Sequence, residues 1–115
     1  MYTIRPLAFF PQNLKKLKKK YPRIKKDLTP LIEQLEQGIF EGDKLQGFTG
    51  DVYKVRVGSI DQKKGKSGGF RVLYYVVTED KNIWLLHIYA KVNQSNPTPE
   101  QIRELNRIIE NFLKI

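Results

Sequence analysis

The chain has 115 residues, 40% of them apolar, and carries 21 lysines and arginines against 12 acids, for a net charge of +9. This suits a single domain over residues 1–115, with a core large enough to stand without staples, and a charge excess that attracts polyanions and acidic proteins. The absence of cysteine excludes a disulfide framework, a thiolate nucleophile and a Cys-ligated metal, and fits a reducing cytoplasm; no apolar run approaches the roughly 18–20 residues of a membrane span.

Tyr2–Phe9 alternates loosely and is rich in β-formers, which predicts a first strand ended by Pro11. Its opening, MYTIRPLAFF, lacks the extended apolar region and small-residue cleavage site of a signal peptide. Asn13 is the expected cap of a first helix with Leu14, Leu17 and Tyr21 at helical spacing. Pro22 interrupts it and opens a second helix with a stripe of Ile24, Leu28, Leu31, Ile32 and Leu35. Pro30 should kink that helix, and Gly38 supplies a left-handed stop. Residues 1–26 hold nine basic groups and no acid, so the lysines of 15–26 occupy the faces away from the stripe.

Residues 38–51 read as loop, and residues 27–51 carry six acids against Lys44 alone. Val52–Val57 then alternates cleanly, with Tyr53, Val55 and Val57 on one face and Lys54 and Arg56 on the other. Two cations on one strand face repel each other, and an anionic ligand would relieve the repulsion. The stretch KKGKSGGFRVLYY (63–75) is a cationic, glycine-rich loop running into a strand, Phe70–Val77, whose first side chains include Arg71. Backbone N–H groups and ammonium groups in such a loop suit phosphate. Ile83–Ala90 is a nearly continuous apolar run and reads as a central strand. By parity its faces are Trp84, Leu86, Ile88, Ala90 against Ile83, Leu85, His87, Tyr89. Thr98-Pro99-Glu100-Gln101 starts a last helix with a buried stripe of Ile102, Leu105, Ile108, Ile109 and Phe112.

The expected order is β–α–α–β–β–β–α: a small α+β domain whose mostly antiparallel sheet carries its helices on one face. GKSGG is not a Walker loop, because the first glycine is missing at the required spacing and a strand follows where a helix is needed. No metal site is expected from a single histidine without a spaced acid cluster, and no cofactor motif is present. No serine triad is recognisable. His87 is a possible site residue, sharing parity with Tyr89 and Lys91. Lys54, Arg56, Lys64, Lys66, Arg71, Tyr89 and Lys91 remain, together with aromatics able to stack on bases. Lysine and arginine can hold a scissile phosphate, and tyrosine or lysine can exchange protons. RNA brings its own nucleophile, the 2′-OH, so this set is compatible with RNA cleavage and awkward for most other hydrolyses.

The runs YKVRVGSIDQKKGKSGGFRVLYYVV and WLLHIYAKVNQSN, with the paired basic helices before them and a short helix after, resemble the RelE/ParE superfamily of type II toxin–antitoxin toxins, in its RelE/HigB-like branch. The resemblance covers nearly the whole chain and implies a metal-independent endoribonuclease that cuts mRNA in the ribosomal A site, leaving a 2′,3′-cyclic phosphate. It implies that Arg56 and Arg71 stabilise the phosphate and that Tyr89 with Lys91 handles protons or stacks on a base. Lys54, Lys64 and Lys66 would bind RNA backbone, and Lys15 and Lys19 on the basic N-terminal helices would face ribosomal RNA. The implied partners are mRNA, the ribosome and a cognate antitoxin with an acidic toxin-binding segment, with no membrane. ParE-like members of the superfamily act instead on DNA gyrase, and a non-catalytic RNA- or protein-binding module is the third reading of the same residues.

Overall fold

The computed structural model describes residues 1–7, 9–62 and 68–113. Its elements are β1 (Thr3–Pro6), α1 (Phe10–Lys20), α2 (Ile24–Glu36), β2 (Asp43–Lys44), β3 (Val52–Val57), β4 (Phe70–Val77), β5 (Asn82–Ala90) and α3 (Pro99–Ile108), the last continuing into a π-helical turn (Ile109–Leu113). The strands form one sheet in the order β1-β5-β4-β3-β2. Among the described residues only the β1–β5 pair is parallel. β2 is an addition to the expected order: a short edge strand inside the 38–51 loop, paired to Tyr53 and Lys54.

The N-terminus departs from expectation in a physically simple way. β1 stops at Pro6, and Pro11 lies in the first turn of α1, where its missing N–H costs nothing. Asn13 therefore sits inside the helix instead of capping it. Gly38 does stop α2, at φ +80, and the Thr98–Gln101 capping box does open α3.

β4 is buried along nearly its whole length and packs helices on both faces. Phe70, Val72, Tyr74 and Val76 meet α1 and α2 through Phe10, Ile24, Leu28 and Leu35. Leu73 and Tyr75 share the second core with Leu105 and Ile109 of the C-terminal helix. Helices on one face thus holds for α1 and α2, whereas α3 takes the opposite face. The continuous apolar run of β5 fits burial from both sides.

β5 breaks the parity read from its sequence. Leu73 pairs with His87 and Tyr74 with Leu85, so Leu86 is the extra residue of a β-bulge. Ile83, Leu85, Ile88 and Ala90 therefore share the α1/α2 core, while Leu86 and Tyr89 belong to the α3 core. A single inserted residue shifts the alternation for everything after it. The end of α3 departs similarly: Leu105 and Ile109 are buried, but Phe112 is 64% exposed. The wider π turn carries the stripe off the buried face.

Candidate functional site

Three neighbouring strands bring one cationic row together. Arg56 on β3 stands opposite Arg71 on β4, and Arg71 stands opposite Tyr89 on β5. Alternation from Val52 puts Lys54 and Arg56 on the α3 face, and the bulge at Leu86 puts Tyr89 there too. The apolar packing under α3 runs as far as Leu73; the next step along β4 on this face is the row. Lys54, Arg56, Arg71 and Lys91 line a cleft of about 240 Å³ with Asp43, Ser95 and Asn96. Among the described residues no carboxylate forms an ion pair with any of these four cations; the pairs present are Arg23–Asp61, Lys44–Asp51 and Arg107–Glu104.

Arg71 is 4% exposed. Its Nη1 donates to the carbonyls of Gly68 at 3.1 Å and Phe70 at 3.2 Å, which fixes the guanidinium where the strand begins. Burial lowers its pKa and the Arg56 charge lowers it further, a tension that an anion would relieve. Tyr89 is buried as well, and its hydroxyl donates to the Ser95 carbonyl at 3.2 Å. Burial raises its pKa, partly offset by Arg71, so the phenol is a proton-bearing donor at neutral pH. Lys54 Nζ donates to Asn96 Oδ1 at 3.0 Å, and Lys91 Nζ to Ser95 Oγ at 3.2 Å.

His87 lies behind this row and outside the cleft. It is 1% exposed, with its ring 5.1 Å from that of Tyr89 and 5.6 Å from that of Phe9. The Asn13 amide donates to Nδ1 at 2.9 Å, which assigns the ring proton to Nε2. Burial pushes its pKa down to about 4, against a smaller upward pull from Gln101, so the ring is neutral, and it meets Phe9 and Asn13 as well as Tyr89. Lys15 and Lys19 are exposed on α1 and are not among the lining of the cleft. Lys16 instead borders a second pocket of about 270 Å³, together with His87, Tyr89, Gln94 and Gln101. Lys64 and Lys66 lie outside the described residues. The anchors on either side of them are defined: the Gln62 side chain accepts from Gly69 N–H at 2.8 Å.

A larger cavity, about 810 Å³, opens on the other side of Arg56 between α2 and residues 57–60. Its lining includes Lys26 and Asp27 but neither Arg71 nor Lys91, so the smaller cleft is where the chemistry converges. Sequence reasoning missed Asp43, Ser95 and Asn96. Asp43 is one of three acids in the 38–51 loop, and residues 93–97 carry no motif by themselves. Only the fold carries them to the row.

The family model described as RelE toxin of the RelE/RelB toxin–antitoxin system matches residues 8–115. Among solved structures, the chain is similar to the isolated RelE toxin of E. coli in its P21 crystal form, at 22% identity over 94% of this chain and 99% of that one, with a TM-score of 0.54. It is also similar to an E. coli RelE variant with two arginines changed to alanine, in the free state, at 22% identity over 93% and 97% of the two chains and a TM-score of 0.52. At that identity the likeness concerns the fold.

Proposed function

This chain belongs to the RelE toxin family, and on that premise we propose that it is a ribosome-dependent mRNA endoribonuclease, held in check by a cognate antitoxin. The observation that carries the reading is the row Arg56–Arg71–Tyr89, two arginines and a protonated phenol without a carboxylate partner, beside Lys54 and Lys91. Such a set is matched to a phosphodiester whose charge grows during transfer.

In the proposed reaction the 2′-oxygen attacks the adjacent phosphorus and the bond from phosphorus to the 5′-oxygen breaks. The products are a 2′,3′-cyclic phosphate and a 5′-hydroxyl. Arg71, held from behind by two backbone carbonyls, and Arg56 stabilise the non-bridging oxygens. Tyr89, whose pKa lies above its ordinary value, is suited to give its proton to the leaving 5′-oxygen. Asp43 brings a carboxylate to the border of the cleft and is suited to take the 2′-hydroxyl proton. Lys54 and Lys91 neutralise the flanking backbone. The exposed lysines of α1 add a cationic surface for ribosomal RNA, and the reaction belongs to the compartment that holds ribosomes.

The test is incubation of purified protein with a defined mRNA, with and without ribosomes programmed on it, and primer extension to locate 5′ ends. Cuts that need ribosomes and fall in register with the A site are the expected result. Cuts on free RNA would remove the ribosome from the reading. A folded protein that cuts neither would overturn the nuclease, and a gyrase supercoiling assay would then follow.

A further inference from the structure

Among the described residues, the side-chain hydrogen bonds of Lys54, Lys91 and Tyr89 all end on oxygens of two adjacent residues of one loop. Ser95 offers its carbonyl to Tyr89 and its hydroxyl to Lys91, each at 3.2 Å. Asn96 offers its side-chain carbonyl to Lys54 at 3.0 Å. The loop is held in this shape by the start of α3: Gln94 Nε2 donates to the Asn96 carbonyl at 2.9 Å and to Gln101 Oε1 at 3.2 Å. That same Gln101 oxygen accepts the Thr98 N–H at 2.9 Å as part of the helix cap.

We propose that the Ser95–Asn96 segment is a built-in competitor for the RNA phosphate, occupying with neutral oxygens the donors that would otherwise hold phosphodiester oxygens. The inference rests on the phosphodiester reading of the cleft. Both residues are exposed, and their neutral oxygens lack the Coulombic attraction that a phosphodiester anion adds for Lys54 and Lys91. A phosphodiester therefore displaces the strap, whereas weakly charged or neutral ligands do not. The strap keeps three strong donors ordered in the free protein and sets a threshold on what enters.

The experiment uses the full chain and a fluorescein-labelled 2′-O-methyl oligoribonucleotide, whose nucleophile is blocked, read by anisotropy. The double variant Ser95→Ala/Asn96→Ala removes two of the three competing oxygens and is expected to bind about three- to tenfold tighter, with unchanged thermal unfolding. Equal or weaker binding by the variant overturns the competitor, and weaker binding would make these residues supports for the lysines. Arg71→Ala separates this from the larger reading. If it weakens binding while the double variant is unchanged, the cleft stands and only the competitor falls. If the parent fails to bind and the double variant binds, the competitor is supported. If neither binds, both inferences fall.

Discussion

Arg56 and Arg71 stand opposite each other across β3 and β4, one exposed and one buried, with the Tyr89 phenol on the far side of Arg71. Like charges directly opposite on a sheet destabilise it. Arg56→Gln is therefore expected to stabilise the protein by roughly 0.2–1 kcal/mol while lowering cleavage at least ~10-fold. Added sulfate should raise the melting temperature of the parent more than that of Arg56→Gln. A variant that is both less stable and fully active would contradict the role given to this pair. Arg71→Ala should cost about 100-fold or more in cleavage, with the fold retained by circular dichroism.

Tyr89 is held protonated by its burial. Tyr89→Phe should keep the melting temperature within a degree or two and lower the rate of cleavage by about 10²–10³. The sign of the shift also limits the pH profile. The folded pKa lies above the ordinary value of 10, so the stabilising contribution of the Tyr89 proton is complete below pH 10 and is lost as pH rises from there through the folded value. A fall in activity between pH 7 and 9 that disappears in Tyr89→Phe would refute this assignment.

His87 gives a test at the acid end. Its folded pKa, about 4, lies below the 6.5 of a free histidine, so the unfolded chain binds the proton more readily. Its contribution to stability is complete above pH 6.5 and is lost as pH falls toward 4, at up to about 1.4 kcal/mol per pH unit. Urea midpoints measured across pH 4–7 should fall more steeply for the parent than for His87→Phe. Parallel curves would show that this ring is not the group titrating.

Gly69 has φ +71, and a Cβ there would lie 2.4 Å from the Val57 carbonyl oxygen. Gly69→Ala is thus expected to destabilise by ~2 kcal/mol, from left-handed strain plus a backbone collision, and to misplace Arg71 two residues later. Chemical denaturation together with a cleavage assay checks this. A neutral substitution would mean that the start of β4 is not set by that approach.

The family's cognate antitoxin should carry an acidic segment complementary to the basic face, given nine basic groups and no acid in residues 1–26. Binding measured by calorimetry between about 50 and 500 mM salt should weaken steadily. An affinity indifferent to salt would argue that the contact is apolar.

The periodicities that survive any tertiary context were readable in the chain. Leu28, Leu31 and Leu35 marked α2, Val52–Val57 declared its two faces, and Thr98 to Gln101 announced the cap of α3. Lys54, Arg56, Arg71, Tyr89 and Lys91 could be chosen because their chemistry suits a phosphodiester and they lie on strands or strand ends. What the local pattern could not carry was any fact that depends on pairing between distant segments. The bulge at Leu86 arises from the register of β5 on β4, and it reassigns every side chain after it.

Sequence by itself determined the fold class, the charge, and the residue types able to hold a phosphate, because composition and period act within a few neighbouring residues. Only the tertiary structure decided that Arg56, Arg71 and Tyr89 form one row and that His87 lies behind it. Only it brought Asp43, Ser95 and Asn96 to the same cleft. Those outcomes follow from strand register and from α3 packing on the second face of the sheet, where burial on both sides leaves a cationic row at one end of an apolar surface.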